Sequence, residues 1–375
     1  MPKNVNHSYW ENKFLFKKFD LIIIGSGIVG LSTAISFKQK NKKATVLVLE
    51  KGILPSGAST KNAGFACFGS VSELLDDLSK MNDETVWQTV EMRWNGLKLL
   101  RQRLGDKHID YKALGGYELF DKEENYSNCV NKIDELNKKI TTIIGQKKCY
   151  STLSPKKLNF KNIKGVILNQ YEGQIDTSLM TNNLLSFARD LGITVLNSIS
   201  VSKINSLLDS VELLSDFGIF KATKVVVATN GFAKELLNIP DVKPARAQVL
   251  ITKPIKNLKI KGAFHYQEGY YYFRNIDDRI LFGGGRNLDF KGETTTILEL
   301  NNTIQKQLDY LLKEMILPDT KFEVDYRWSG IMGIGSEKKP IIKFIHSNVL
   351  AAVRMGGMGI AIGSIVGQDA ANKIS

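Results

Sequence analysis

The chain has 375 residues, 43% of them hydrophobic and 24% charged, enough to bury sizeable cores in about two domains and too apolar for a disordered tail. Lys+Arg 51 against Asp+Glu 38 gives a formal charge of +13, but only ten of these cations are arginine. Lysines scattered as Lys38 to Lys43, Lys138–Lys139 and Lys156–Lys157 read as solvated surface, so nucleic-acid binding is not expected.

Cys67, Cys129 and Cys149 have no CxxC spacing, and His7, His108, His265 and His346 lie far from them and from one another. Neither a disulfide framework nor a zinc site is expected, and a reducing cytoplasm suits such a chain. The uncharged run from Leu21 to Phe37 is slightly short for a membrane span and is interrupted early by Gly25, Ser26, Gly27 and Gly30. It reads better as a strand followed by a helix.

Phe19 to Ile24 is apolar on both faces after Asp20, as a buried parallel strand requires, and a small-residue helix begins by Leu31. Between them stands Gly25-Ser26-Gly27-Ile28-Val29-Gly30. In such a GxGxxG turn the first glycine permits the bend, the second lets a phosphate approach the backbone, and the third lets helix pack on sheet. A second strand, Ala44 to Leu49, ends at Glu50, about 20 residues on, where an acid can bond ribose hydroxyls. The phosphate loop of Walker-type nucleotidases is excluded because Leu31 stands where its lysine must be.

Further along, Val86 to Leu104 and Asn125 to Ile144 carry helical patterns, and Ser178 to Leu191 is amphipathic. Lys224 to Gly231 is a buried strand closing on the small turn Ala228-Thr229-Asn230-Gly231. Gln248 to Thr252, Tyr270 to Phe273 and Ile280 to Phe282 read as strands of a second sheet. Val349 to Val353 is a strand, Arg354 to Gly359 a glycine loop, and Ile360 to Asn372 a helix whose positive end points at that loop.

These segments, with Gly57 to Gly64 and Trp328-Ser329-Gly330-Ile331-Met332-Gly333, resemble the D-amino-acid oxidase family of FAD-dependent oxidoreductases. Glycine oxidase, sarcosine oxidase and gamma-glutamylputrescine oxidase belong to that family, and Ser8-Tyr9-Trp10 and Tyr272-Phe273-Arg274 lean toward the last. The resemblance implies an α/β fold: a Rossmann-like FAD-binding domain (residues 17–70, 151–244 and 327–375) interleaved with an α+β substrate domain (71–150 and 245–326) containing a mainly antiparallel sheet. It implies one FAD, held without a covalent bond because Gly330 replaces the attaching cysteine of sarcosine oxidase. Cofactor positions are expected at Gly25, Ser26, Gly27, Ile28, Gly30, Glu50, Lys51, Ser59, Thr60, Lys61, Asn62, Val201, Ala228, Thr229, Gly231, Met355, Gly356, Gly357, Met358 and Gly359.

The implied reaction takes a hydride from the carbon bearing an amine to flavin N5, after which water hydrolyses the imine. The substrate is then a small amine or amino acid, and the electron acceptor oxygen or another oxidant. Tyr270 and Tyr272 share a strand face with Arg274 and are expected to meet the substrate. Met332 stands where glycine oxidase-like members place a carboxylate-binding arginine, and Leu281 near the lysine that promotes oxygen reaction in sarcosine oxidase. That leaves Arg354, which begins the loop under the flavin, or Arg274 and Arg286, which flank the strand pair expected to roof it, to anchor an acidic substrate. A flavin enzyme modifying a tRNA wobble base and a non-catalytic FAD-binding protein are the competing readings.

Overall fold

The computed structural model describes residues 6–375. The strand Lys18–Ile24 runs parallel between Val46–Leu49 on one side and Ile219–Val227 on the other, and the sheet continues to Thr194–Leu196 at one end and to Val349–Val353 and Ile341–His346 at the other. Side chains alternate faces along a strand. Leu21 and Ile23 therefore pack on one face with Leu31 and Ile35 of the helix Ile28–Lys40. Ile22 and Ile24 pack on the other with Val211, Leu213 and Phe220 of the antiparallel extension formed by Val201–Ser206, Val211–Ser215 and Ile219–Val227. Burial on both faces is why this segment reads as a continuous apolar run.

The second sheet has the order Val324–Ile334, Lys243–Thr252, Arg279–Gly284, Tyr271–Ile276, Ala263–Tyr266, Gly116–Phe120, Gly165–Asn169, Tyr150–Leu153. It is antiparallel except where Ala263–Tyr266 meets Gly116–Phe120. Its membership departs from the expected boundaries. Tyr150–Leu153 and Gly165–Asn169, expected with the dinucleotide-binding half, form an edge of this sheet because Gly116–Phe120 pairs with Gly165–Asn169. Val324–Ile334, expected from residue 327 onward in the other half, pairs along nearly its whole length with Lys243–Thr252. On one face Phe264, Phe273 and Phe282 lie in register, the first two stacked with centroids 4.7 Å apart, and pack with Ile304 and Leu308 of the helix Asn302–Leu311. The opposite parity, with His265 across from Tyr272, faces Phe65.

The expected helix Asn125 to Ile144 is two helices, Glu123–Val130 and Ile133–Ile144. The C-terminal helix Gly359–Ile374 lies between Ile28–Lys40 and Asp83–Leu104 at glycine contacts. A Cβ on Gly367 would stand 2.5 Å from Ser32 Cβ and 2.7 Å from the Val29 carbonyl oxygen, and one on Gly96 would stand 2.1 Å from the Ala361 carbonyl oxygen. Gly367→Leu should therefore force the two helices apart, costing about 3 kcal/mol, readable as a lower urea midpoint at unchanged m-value.

Candidate active site

The three central parallel strands end together, and ligands in such folds bind in the crevice beyond the strand carboxyl ends where the strand order reverses. Gly25 follows Lys18–Ile24, Glu50 follows Val46–Leu49, and Ala228 follows Ile219–Val227. All three line one cavity of about 1050 Å³ that extends between the two sheets. Small-molecule sites usually measure about 300–1,000 Å³, so this space admits a dinucleotide and a small substrate together.

The turn at Gly25 is built for close approach. Gly25 has φ +104°, and a Cβ there would lie 2.9 Å from the Ala228 carbonyl oxygen. A Cβ on Gly30 would lie 1.9 Å from the Gly25 carbonyl oxygen. Gly27 lines the cavity at the start of the helix Ile28–Lys40, whose first amide donates to Ser59 Oγ at 2.9 Å. Glu50 accepts from Ser26 N (3.0 Å) and Ser26 Oγ (2.8 Å) through one carboxylate oxygen and from Gly52 N (3.0 Å) through the other. That grip aims the carboxylate while leaving lone pairs for a further donor. Thr229 Oγ1 is buried beside the cavity without a hydrogen-bond partner, the state of a hydroxyl waiting for a ligand. At the far side Gly356 (φ +59°) and Gly357 (φ +85°) carry the loop that opens the helix Gly359–Ile374, and Met355 to Ala361 line the cavity. A glycine cradle, a helix N-terminus on either side and an oriented acid fit FAD.

Of the remaining expected cofactor positions, Ile28, Lys51, Ser59, Lys61, Asn62, Val201 and Met358 line the cavity. Four do not. Ser26 is buried behind the turn holding Glu50. Gly30 packs on Gly25, and Gly231 abuts the Met332 carbonyl oxygen, 2.5 Å from where a Cβ would sit. The Thr60 hydroxyl is taken up by the Pro55 and Gly57 carbonyls. Asn62 also fixes its loop, its amide donating to Ser59 O and its oxygen accepting from Gly64 N.

The substrate positions need correction. Tyr270 and Tyr272 line the cavity; Tyr272 meets Phe65 edge-on at 5.6 Å, and burial pushes its hydroxyl up to about 12. Met332 lines it too, its thioether facing Gly357. Arg274 and Arg354 do not. Arg274 Nε donates to Ala63 O and one Nη to Ile175 O, bracing the loop at Gly64, and burial lowers its pKa to about 10. Arg354, at φ +67°, is ion-paired to Asp241 and donates to Lys339 O at 2.9 Å. Its position beneath the glycine loop was legible in the sequence, but its partner, 113 residues away, was not.

Sequence reasoning missed two acids that face the cavity. Glu73 and Asp77 lie one turn apart on the helix Val71–Lys80, a spacing that places both on one face. Glu73 pairs with Arg93 (3.1 Å) and Lys338 (3.3 Å), and Lys338 reaches Asp77 at 2.6 Å. Burial alone would raise the Glu73 carboxyl, but the charges of Arg93 and Lys338 hold it down at about 2. Asp77 goes the other way, because burial outweighs its lysine. Arg286 also lines the cavity, half-buried, with its guanidinium 4.9 Å from the Phe290 ring centroid and its Nε buried without a partner. Its nearby acid, Glu293, is already held through both oxygens by Arg246.

A family model described as "FAD dependent oxidoreductase" matches residues 20–373. Over 370 residues the chain is 19% identical to the probable oxidoreductase OrdL of Haemophilus influenzae, covering 95% of this chain and 82% of the relative. Its fold is similar to that of L-proline dehydrogenase from P. horikoshii (20% identity, TM-score 0.76, 96% and 94% of the two chains covered). It is equally similar to glycine oxidase from Bacillus cereus (18% identity, TM-score 0.76, 95% of each chain).

Two outcomes test this geometry. Gly27→Val places a branched side chain against Ser59 Oγ, 2.9 Å from the Cβ position, in the path of a pyrophosphate. The variant should purify colourless with near-native far-UV circular dichroism. Since the folded carboxyl of Glu73 lies below its unfolded value of 4.5, its pairing stabilises the protein fully above that value and loses its effect as pH falls toward 2. The stability gap between the parent and Glu73→Gln, measured by urea midpoints, should shrink over that window.

Proposed function

The chain belongs to the FAD-dependent oxidoreductase family, and from that premise we propose that it oxidises the C–N bond of a small primary or secondary amine, or an amino acid carrying one. The observation that carries this reading is the single cavity whose one half is a glycine cradle and whose other half holds Tyr270, Tyr272 and Arg286. FAD, when bound, supplies the acceptor for the hydride leaving the amine-bearing carbon, and water then hydrolyses the resulting imine. Gly25, Gly27, Glu50, Ser59, Thr229 and Gly356 to Gly359 would hold it. No cysteine stands at Gly330, where a Cβ would already meet Lys61 Cβ at 2.9 Å, so attachment is non-covalent and acid precipitation should release the flavin.

The protein's own residues bind and orient the substrate. Phe65, Tyr272, Val249 and Met332 present an apolar wall that excludes water and favours the neutral amine over the ammonium. A substrate carboxylate needs a cation inside this space, because an unpaired buried carboxylate costs several kcal/mol. Arg286 supplies it, its donors uncommitted and its plane supported by Phe290, with the Tyr270 hydroxyl as a second donor. Leu281 is 3% exposed among Ala63 and Val249, so no ammonium sits there to favour reaction with oxygen, and a dye or quinone is the better acceptor.

An anaerobic screen of amines and of D- and L-amino acids should find one that bleaches the flavin; bleaching by an α-hydroxy acid and by no amine would overturn the proposal. For an acidic substrate, Arg286→Met should weaken apparent affinity by about 2 kcal/mol, roughly thirtyfold, with FAD retained. Arg354→Met should instead lower the melting temperature and leave substrate affinity of the surviving holoenzyme unchanged. Turnover with a quinone or dye should exceed turnover with air.

A further inference from the structure

Three side chains that the sequence separates by about a hundred residues each meet at the cavity wall. Cys67 follows the short strand Phe65–Ala66, which pairs with Gly173–Gln174, immediately after Glu172. His265 comes from Ala263–Tyr266 of the second sheet. The Cys67 sulfur, a Glu172 carboxylate oxygen and a His265 ring nitrogen all lie within 4.8 Å of one another.

Their hydrogen bonding leaves one ligating atom open on each. Glu172 Oε1 accepts from the amides of Phe68 (2.9 Å) and Gly69 (3.0 Å), which fixes the carboxylate and leaves Oε2 facing His265. His265 Nε2 stands 3.6 Å from Oε2, too far for a hydrogen bond, and is buried with no partner. The Cys67 sulfur has only the Gly173 carbonyl oxygen, at 4.0 Å. Nitrogen and oxygen ligands of one tetrahedral zinc ion are about 3.4 Å apart for bonds of 2.0–2.1 Å, close to the gap seen here. All three ligands sit on paired strands or beside them, so the set is held on rigid backbone.

We propose that Cys67, Glu172 and His265 form a binding site for one divalent transition-metal ion of the zinc class. One thiolate, one imidazole and one carboxylate select a borderline metal over magnesium or calcium. As the metal–sulfur bond forms, the thiol proton passes to solvent, and no electron is transferred. Cys67 and His265 line the cavity, so the fourth coordination position opens into it beside Tyr272. A bound ion therefore competes with substrate for that space and slows flavin reduction, while the glycine cradle remains undisturbed.

The test uses the reduced holoenzyme with zinc chloride. After dialysis, metal analysis should give one zinc per chain, and the zinc-edge absorption spectrum should show one sulfur at about 2.3 Å with nitrogen and oxygen at about 2.0–2.2 Å. Cys67→Ala and His265→Ala should each lower zinc affinity at least about 100-fold with the flavin spectrum unchanged, and Cys129→Ala should leave affinity as it is. If Cys67→Ala fails to fold, Cys67→Ser and the spectrum of the natural chain decide. No retained zinc, a spectrum without sulfur, or zinc affinity in the Cys67 and His265 variants equal to that of the parent would overturn the site. Because retention and ligand spectra are read without any amine, they stand or fall independently of the proposed oxidation.

Discussion

The backbone contact between Gly30 and Gly25 sets the position of the cofactor half of the cavity. With only 1.9 Å between a Cβ position at Gly30 and the Gly25 carbonyl oxygen, the turn closes in its glycine form alone. That closure brings the helix Ile28–Lys40 flat onto Leu21 and Ile23, and the same helix then receives Gly363 and Gly367 of the C-terminal helix. The C-terminal helix in turn fixes the glycine loop at its own start. Two helix N-termini thus converge on one space through a chain of contacts in which the small residue is required at each step.

The charges obey a different constraint. An unpaired charge in a buried cavity costs desolvation when the site is empty and imposes a strong field when it is filled. Glu73 is matched by Arg93 and Lys338, Asp77 by Lys338, and Glu293 by Arg246. Arg274 spends its donors on backbone carbonyls and Arg354 on Asp241. Arg286 is supported by an aromatic face, not a carboxylate.

How much of this was legible follows from the range over which each feature is encoded. The dinucleotide half was readable because a strand, a glycine turn, a helix and an acid at Glu50 occupy some thirty consecutive residues, and their spacing is itself the geometry. Strand membership at the domain border was not, because Gly165–Asn169 joins the second sheet through its partner Gly116–Phe120, a pairing that no local pattern announces. Arginine roles were misjudged for the same reason: proximity to the glycine loop was visible at Arg354, but Asp241 was not. The Glu73 and Asp77 pair had a local signal, the four-residue spacing on an amphipathic helix, yet nothing local marks that face as a cavity wall and not a solvated one.

Cys67, Glu172 and His265 show the limit most sharply. Read along the chain, a cysteine and a histidine almost two hundred residues apart argue against a metal site. Read across the sheets, the pairing of Ala66 with Gly173 and of Ala263–Tyr266 with Gly116–Phe120 makes them neighbours. The first pairing is a two-stranded ribbon and the second lies within the second sheet, and both border the cavity between the sheets. The backbone of the first sheet builds the cofactor's cradle from local glycines, and the side chains that decide what else enters come from long-range strand pairing. Chemistry of the first kind is written in spacing, and chemistry of the second kind in register.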